Sequence, residues 1–186
     1  MNNNKIVLTG GGTAGHVSLN EAIIPELLRN GYEVHYIGSA DGIEKSIIEK
    51  SFPTLPYHTI SNGKLRRYFS IKNFSDPFKV LYGTMQAMRT LRKIKPSLVF
   101  SKGGFVSVPV VVAAKLSNIP VVIHESDITP GLANKIATPF AEHIFTVFEE
   151  TLKYIPRDKS SAIGAIIRPD LFQGDEKIAR ELTGFS

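Results

Sequence analysis

Short runs of β-branched and aliphatic residues alternate with helical patterns every roughly 20–30 residues along the chain. A parallel sheet with crossover helices produces this alternation. Strands are expected near residues 5–9, 33–37, 57–60, 97–101, 121–124, 143–147 and 162–163. Helices are expected near 15–29, 42–50, 77–94, 107–117, 131–139, 149–154 and 175–182. Asn30-Gly31 should close the first helix in a left-handed cap, and Asp76-Pro77 should open the long one. Val121-Val122-Ile123 and Val110-Val111-Val112 are apolar on every face, as a sheet covered on both sides requires. The expected fold class is α/β, a doubly wound parallel sheet. Residues 182–186 read as a helix just finished, so the chain is expected to be cut at a domain boundary.

Two glycine loops stand at two strand ends. Thr9-Gly10-Gly11-Gly12-Thr13-Ala14-Gly15-His16 follows the first strand and opens a helix, and Ser101-Lys102-Gly103-Gly104-Phe105-Val106-Ser107 follows the fourth. Glycine lets the backbone turn sharply and approach a ligand, while the helix N-terminus behind it offers unpaired N–H groups. In a doubly wound sheet of order 3-2-1-4-5-6, strands one and four are neighbours, so both loops should flank one cleft. Two helix N-termini aimed at one place suit a diphosphate. The plainer alternative is that the glycines only make tight turns.

Gly10, Gly12 and Gly15 also satisfy the dinucleotide pattern G-x-G-x-x-G, so a nicotinamide- or flavin-binding domain is the rival reading. That reading needs an acid at the end of the second strand. Here the strand ends Tyr36-Ile37-Gly38-Ser39, and Asp41 lies beyond it. A phosphate-binding Walker loop fails because His16-Val17 stands where Lys-Ser/Thr is needed. The chain has no cysteine, which excludes thiolate zinc sites and cysteine nucleophiles. No signal-peptide core or run of ~18 apolar residues is present, so a soluble or peripheral protein is expected.

Gly11-Gly12-Thr13-Ala14-Gly15-His16, Lys102-Gly103-Gly104-Phe105-Val106-Ser107-Val108-Pro109, His124-Glu125-Ser126-Asp127 and Pro130-Gly131-Leu132-Ala133-Asn134-Lys135 together resemble successive signatures of the MurG family of glycosyltransferases. Gly164-Ala165-Ile166-Ile167-Arg168 resembles the segment that ends the first domain of that family. The resemblance implies a Rossmann-like N-terminal half of a GT-B enzyme. Residues 1–170 would form the acceptor- and membrane-binding domain, 171–186 would begin the connection, and the donor-binding domain would be absent. It also implies transfer of N-acetylglucosamine from UDP-N-acetylglucosamine to the 4-hydroxyl of undecaprenyl-linked muramyl-pentapeptide, with inversion and without a metal or cofactor. The isolated piece would be inactive. The sequence departs from the family pattern at Ala14, where glycine is commoner, at Phe105 for Tyr, at Asp127 for Asn, and at Ala165-Ile166 for Asn-Pro.

Such a transfer needs a base for the acceptor hydroxyl and a grip on the leaving diphosphate. His16 and Glu125 are the two candidates for the base. His16 could instead cap its helix or bind phosphate, and Glu125 could instead be a buried carboxylate holding the loop after it. Gly12, Thr13, Ala14, Gly15, Gly103, Gly104 and Phe105 are assigned to the acceptor diphosphate. Thr13, Ala14, Gly15, Asp127 and Arg168 are assigned to the UDP-sugar side, Arg168 having a surface salt bridge as its plainer role. His35, His58 and His143 read as structural.

Charge is unevenly distributed. Residues 62–102 hold ten Lys/Arg and one acid, Asp76; the totals of 22 and 17 leave 12 basic and 16 acidic residues elsewhere. Arg66, Arg67, Phe69, Ile71, Lys72 and Phe74 interleave cations with apolar anchors, a pattern that suits an anionic membrane surface. Together with the resemblance, this implies a peripheral place on the cytoplasmic face of the bacterial plasma membrane, with a non-catalytic docking module as a further alternative. Phe78, Leu81, Met85 and Met88 follow helical spacing and are expected to form the core face of their helix. No nucleic-acid-binding motif accompanies the basic residues, so no nucleic-acid partner is expected.

Overall fold

A computed structural model describes residues 4–62, 76–167 and 174–184. It shows β1 (Lys5–Thr9), α1 (Ala14–Arg29), β2 (Glu33–Ser39), α2 (Ile43–Ser51), β3 (Tyr57–Ile60), α3 (Asp76–Ile94), β4 (Leu98–Ser101), α4 (Ser107–Leu116), β5 (Val121–Glu125), α5 (Leu132–Ala137), β6 (His143–Thr146), β7 (Ser160–Ala162) and α6 (Glu176–Thr183). The strands form one sheet in the order β3-β2-β1-β4-β5-β6-β7. Every pairing is parallel. The order reverses between β1 and β4, whose carboxyl ends carry the two glycine loops.

Strand residues alternate between two covered faces. Ile6, Leu8, Val34 and Tyr36 pack with Val17, Ile24 and Ile48 of α1 and α2. Val7, Ile37, Val99, Ile123 and Ile144 pack with Leu91, Val110, Val111 and Ala114 of α3 and α4. Each fully buried aliphatic side chain contributes roughly 1.5–3 kcal/mol. Val110-Val111-Val112, cited in the sequence for its all-round apolar character, lies inside α4, within the helix expected at 107–117. Its all-round apolar character comes from a helix wedged between the sheet and α3, with Val110 and Val111 fully buried. The helix expected over 131–139 divides into α5 and a 3₁₀ turn, Thr138–Phe140, where Pro139 cannot donate a helical hydrogen bond. The segment expected as a helix at 149–154 is also 3₁₀, Glu149–Lys153. Asn30 ends α1, with Gly31 at φ +78° as the left-handed residue.

The face of α3 differs from expectation. Phe78, Leu81, Tyr82 and Met85 are exposed, Phe78 at 74%. The buried positions are Gly83, Thr84, Ala87, Leu91 and Ile94, with Met88 partly buried against them. Small residues bring α3 close: a Cβ on Gly83 would overlap the Ser61 carbonyl oxygen. Gln86 Oε1 accepts from the Ser61 amide at 2.7 Å, so α3 is held to the carboxyl end of β3 and its large apolar side chains point away from the protein.

Candidate functional site

The two glycine loops meet. The Gly11 amide donates to the Gly103 carbonyl at 3.3 Å. Gly104 sits at φ +82°, and a Cβ there would overlap the Gly11 carbonyl oxygen. Tyr36 supports the first loop from below, its hydroxyl donating to the Gly10 carbonyl at 2.6 Å and accepting from Asn20 at 3.0 Å. Above the contact lies a cavity of about 530 Å³, whose lining includes Gly12, Thr13, His16, Glu44, Gly104 and Phe105.

Thr13 is the N-cap of α1, and its hydroxyl lies 3.1 Å from His16 Nδ1. His16 Nδ1 is also 3.0 Å from the Gly11 carbonyl oxygen. A carbonyl can only accept, so Nδ1 carries the proton and Nε2 is left as the acceptor in the neutral ring. Burial pushes the His16 pKa below its ordinary value. The Lys102 ammonium pushes the same way, opposed by the Gly11 carbonyl, Glu125 and Asp127. The ring is therefore held neutral near pH 7 and able to take a proton.

Lys102, to which the sequence reading gave no role at the site, is 2% exposed. Its Nζ donates to Ser126 Oγ at 3.0 Å. Burial lowers its pKa, while Glu125 and Asp127 oppose the shift. Glu125 is buried and accepts from the Asp127 amide at 2.9 Å, the Gly131 amide at 3.0 Å and Asn134 Nδ2 at 2.9 Å. Its carboxylate thus holds the β5–α5 loop in shape. Asn134 packs over Gly103, where a Cβ would crowd it. His124 is 1% exposed and neither ring nitrogen has a partner among the described residues.

Glu44 was missed in the sequence. It lies in the first turn of α2, 1% exposed. Its Oε2 accepts from the Gly12 amide at 3.1 Å and its Oε1 from the Ser39 amide at 3.0 Å and the Ser39 hydroxyl. A Cβ on Gly11 or Gly42 would overlap the carboxylate. An acid close behind a strand-terminal glycine and Ser39 was the available signal. Glu44 already occupies the Gly12 amide, so the first loop offers that group neither to a dinucleotide pyrophosphate nor to the acceptor diphosphate for which the sequence reading assigned Gly12.

Of the residues singled out in the sequence, Gly12, Thr13, His16, Gly104 and Phe105 share the cavity. Ala14 and Gly15 are exposed on the first turn of α1. Gly103 is buried beneath; Glu125 ends β5 and exposed Asp127 lies on the β5–α5 loop, both outside the lining. Arg168 and the proposed membrane residues Arg66, Arg67, Phe69, Ile71, Lys72 and Phe74 fall outside the described residues.

A doubly wound sheet with paired glycine loops at its switch point defines a Rossmann-like α/β domain whose crevice opens between β1 and β4. The chain belongs to glycosyltransferase family 28: the model of that family's N-terminal domain matches residues 6–146. It is 59% identical over 182 residues to a Staphylococcus aureus UDP-N-acetylglucosamine--N-acetylmuramyl-(pentapeptide) pyrophosphoryl-undecaprenol N-acetylglucosamine transferase, covering 98% of this chain and 51% of that protein. The crystal structure of Acinetobacter baumannii MurG superposes with a TM-score of 0.74 at 27% identity, covering 89% of this chain and 46% of that one. A glycosyltransferase from Rickettsia africae shares the fold, with a TM-score of 0.70 at 14% identity, over 99% of this chain and 49% of that one. The chain spans about half the length of the curated relatives it matches. The family disfavours the oxidoreductase alternative.

Proposed function

We propose that this chain is the acceptor half of a two-domain enzyme that moves N-acetylglucosamine from UDP-N-acetylglucosamine to the 4-hydroxyl of a lipid-linked muramyl-pentapeptide. The observation that carries this is the joined pair of glycine loops with the free Nε2 of His16 at the same cavity. The acceptor diphosphate lies against the second loop and the amides at the start of α1, where helix dipoles favour negative charge. His16 Nε2 takes the proton as the 4-oxygen attacks C1 of the sugar. The bond from C1 to the diphosphate oxygen breaks, UDP leaves, and configuration inverts in this single displacement. No metal ion takes part. Glu125 acts by shaping the β5–α5 loop, since both its oxygens are engaged there. Asp127 and Arg168 serve the UDP-sugar side, whose other residues belong to a second domain reached through residues 171–186.

Membrane attachment belongs to the same proposal. The exposed Phe78, Leu81, Tyr82 and Met85 lie on the N-terminal half of α3, beside the carboxyl edge of the sheet. No helix among the described residues is long and apolar enough to cross a bilayer. A half-embedded α3, preceded in the sequence by the basic residues of 64–72, suits a peripheral position on the anionic cytoplasmic leaflet, with the lipid tail of the acceptor staying in the membrane. Calorimetric titration of this chain with a short-chain lipid diphosphate bearing muramyl-pentapeptide tests the assignment. Saturable acceptor binding with no micromolar NAD(P) binding is expected; the reverse pattern overturns it.

A further inference from the structure

We infer that Glu44 is a positioning residue for His16, acting through the Gly11–Gly12 peptide group. One face of that peptide, the Gly12 N–H, donates to Glu44 Oε2 at 3.1 Å. The other, the Gly11 carbonyl, accepts from His16 Nδ1 at 3.0 Å. A carboxylate on the N–H side polarises the amide, makes its carbonyl a stronger acceptor, and favours both the Nδ1–H tautomer and the imidazolium that forms when Nε2 takes a proton. In the familiar carboxylate–histidine pair the two side chains touch; here a peptide bond stands between them.

The surroundings suit this role. Glu44 is 1% exposed. Its other oxygen is fixed by the Ser39 amide, and Gly11 and Gly42 lack the side chains that would displace the carboxylate. Lys102, Glu125 and Asp127 also act on His16 through their charges. Burial and Lys102 disfavour the imidazolium, while the Gly11 hydrogen bond and the two acids favour it, and the contribution inferred for Glu44 reaches the ring through that same Gly11 hydrogen bond. A buried acid that merely braced the loop could have been placed against any amide; this one holds the peptide on which the histidine depends.

The inference rests on His16 being the base, and the test separates the two ideas. In this chain, labelled imidazole resonances give the His16 tautomer and titration midpoint. The unaltered protein should show the Nδ1–H form, and the Gly12 amide proton should titrate with the midpoint of His16. Glu44→Gln should lower that midpoint by roughly 0.5 unit or more, as loss of one nearby charge does at an effective dielectric near 20. In a fusion to a cognate donor domain, the same change should move the acidic limb of the kcat profile down in pH and lower its plateau about threefold to tenfold, in keeping with a weaker base. An Nε2–H ring, or a Gly12 amide blind to His16 in the unaltered protein, overturns the inference, even if Glu44→Gln fails to fold. So does a folded Glu44→Gln variant with the His16 midpoint unmoved. If the coupling holds while His16→Ala keeps full kcat, the failure belongs to the assignment of the base.

Discussion

His124 should make the domain acid-sensitive by a calculable amount. Its ring is 1% exposed and neither nitrogen has a partner among the described residues. Burial pushes its pKa down to about 4, the Lys102 ammonium adding to the effect and Glu125 opposing it. The unfolded chain titrates near the ordinary 6.5. Between these values the unfolded state binds more protons than the folded one, so stability rises with pH across that window and is lost as pH falls through it. At ~1.4 kcal/mol per unit, the gap from 6.5 to about 4 amounts to about 3 kcal/mol. Most of that loss falls between pH 7.5 and 4.5; below about pH 4 the group is charged in both states and costs nothing more. A change of this size is large against a typical net stability of ~5–15 kcal/mol. Equilibrium urea unfolding at several pH values, on this chain and on His124→Leu, isolates the group. Burial depresses His16 and His58 as well, but both remain in the variant and cancel in the comparison. The unaltered chain should lose about 2–3 kcal/mol more than the variant between pH 7.5 and 4.5. Equal losses would show that His124 does not titrate as its burial demands.

Three further outcomes are expected. Gly104→Ala places a Cβ against the Gly11 carbonyl at φ +82° and should cost about 2–4 kcal/mol in urea unfolding, with faster amide exchange at Gly11. Lys102→Met removes the ammonium that disfavours the His16 imidazolium, so the His16 midpoint should rise, as read by ring resonances. Leu81→Asp alters a side chain 60% exposed on α3; binding to anionic vesicles in co-sedimentation should fall several-fold, while unfolding stability stays within ~0.5 kcal/mol.

The strands were readable because β-branched runs bounded by Gly and Pro have few alternatives: all seven lie within two residues of their expected ends, β2 running on to Ser39 and β7 starting earlier, at Ser160. The meeting of the loops followed from the strand order, which places β1 beside β4. The orientation of α3 was not readable. Spacing marks an apolar stripe without saying what it meets, and the protein-facing side here is made of Gly83, Thr84 and Ala87, which carry little hydrophobic signal. Glu44 was hidden for a related reason. An acid in a first helical turn resembles an ordinary surface residue favoured by the helix dipole, and its burial depends on side chains missing at Gly11 and Gly42 in different segments. The division of roles proposed for Glu125 and His16 was not readable either, because hydrogen-bond partners at residues 127–134 and at Gly11 decide which oxygens and nitrogens remain available.

The decisive quantity is turnover of sugar by His16→Ala, with this chain fused to a cognate donor domain and a lipid-linked muramyl-pentapeptide as acceptor. Loss of the proton acceptor should lower kcat about 10²–10⁴-fold and leave acceptor KM within a few-fold. A variant that turns over at the unaltered rate would show that the proton leaves by another route and that the joined loops frame something other than the reacting hydroxyl.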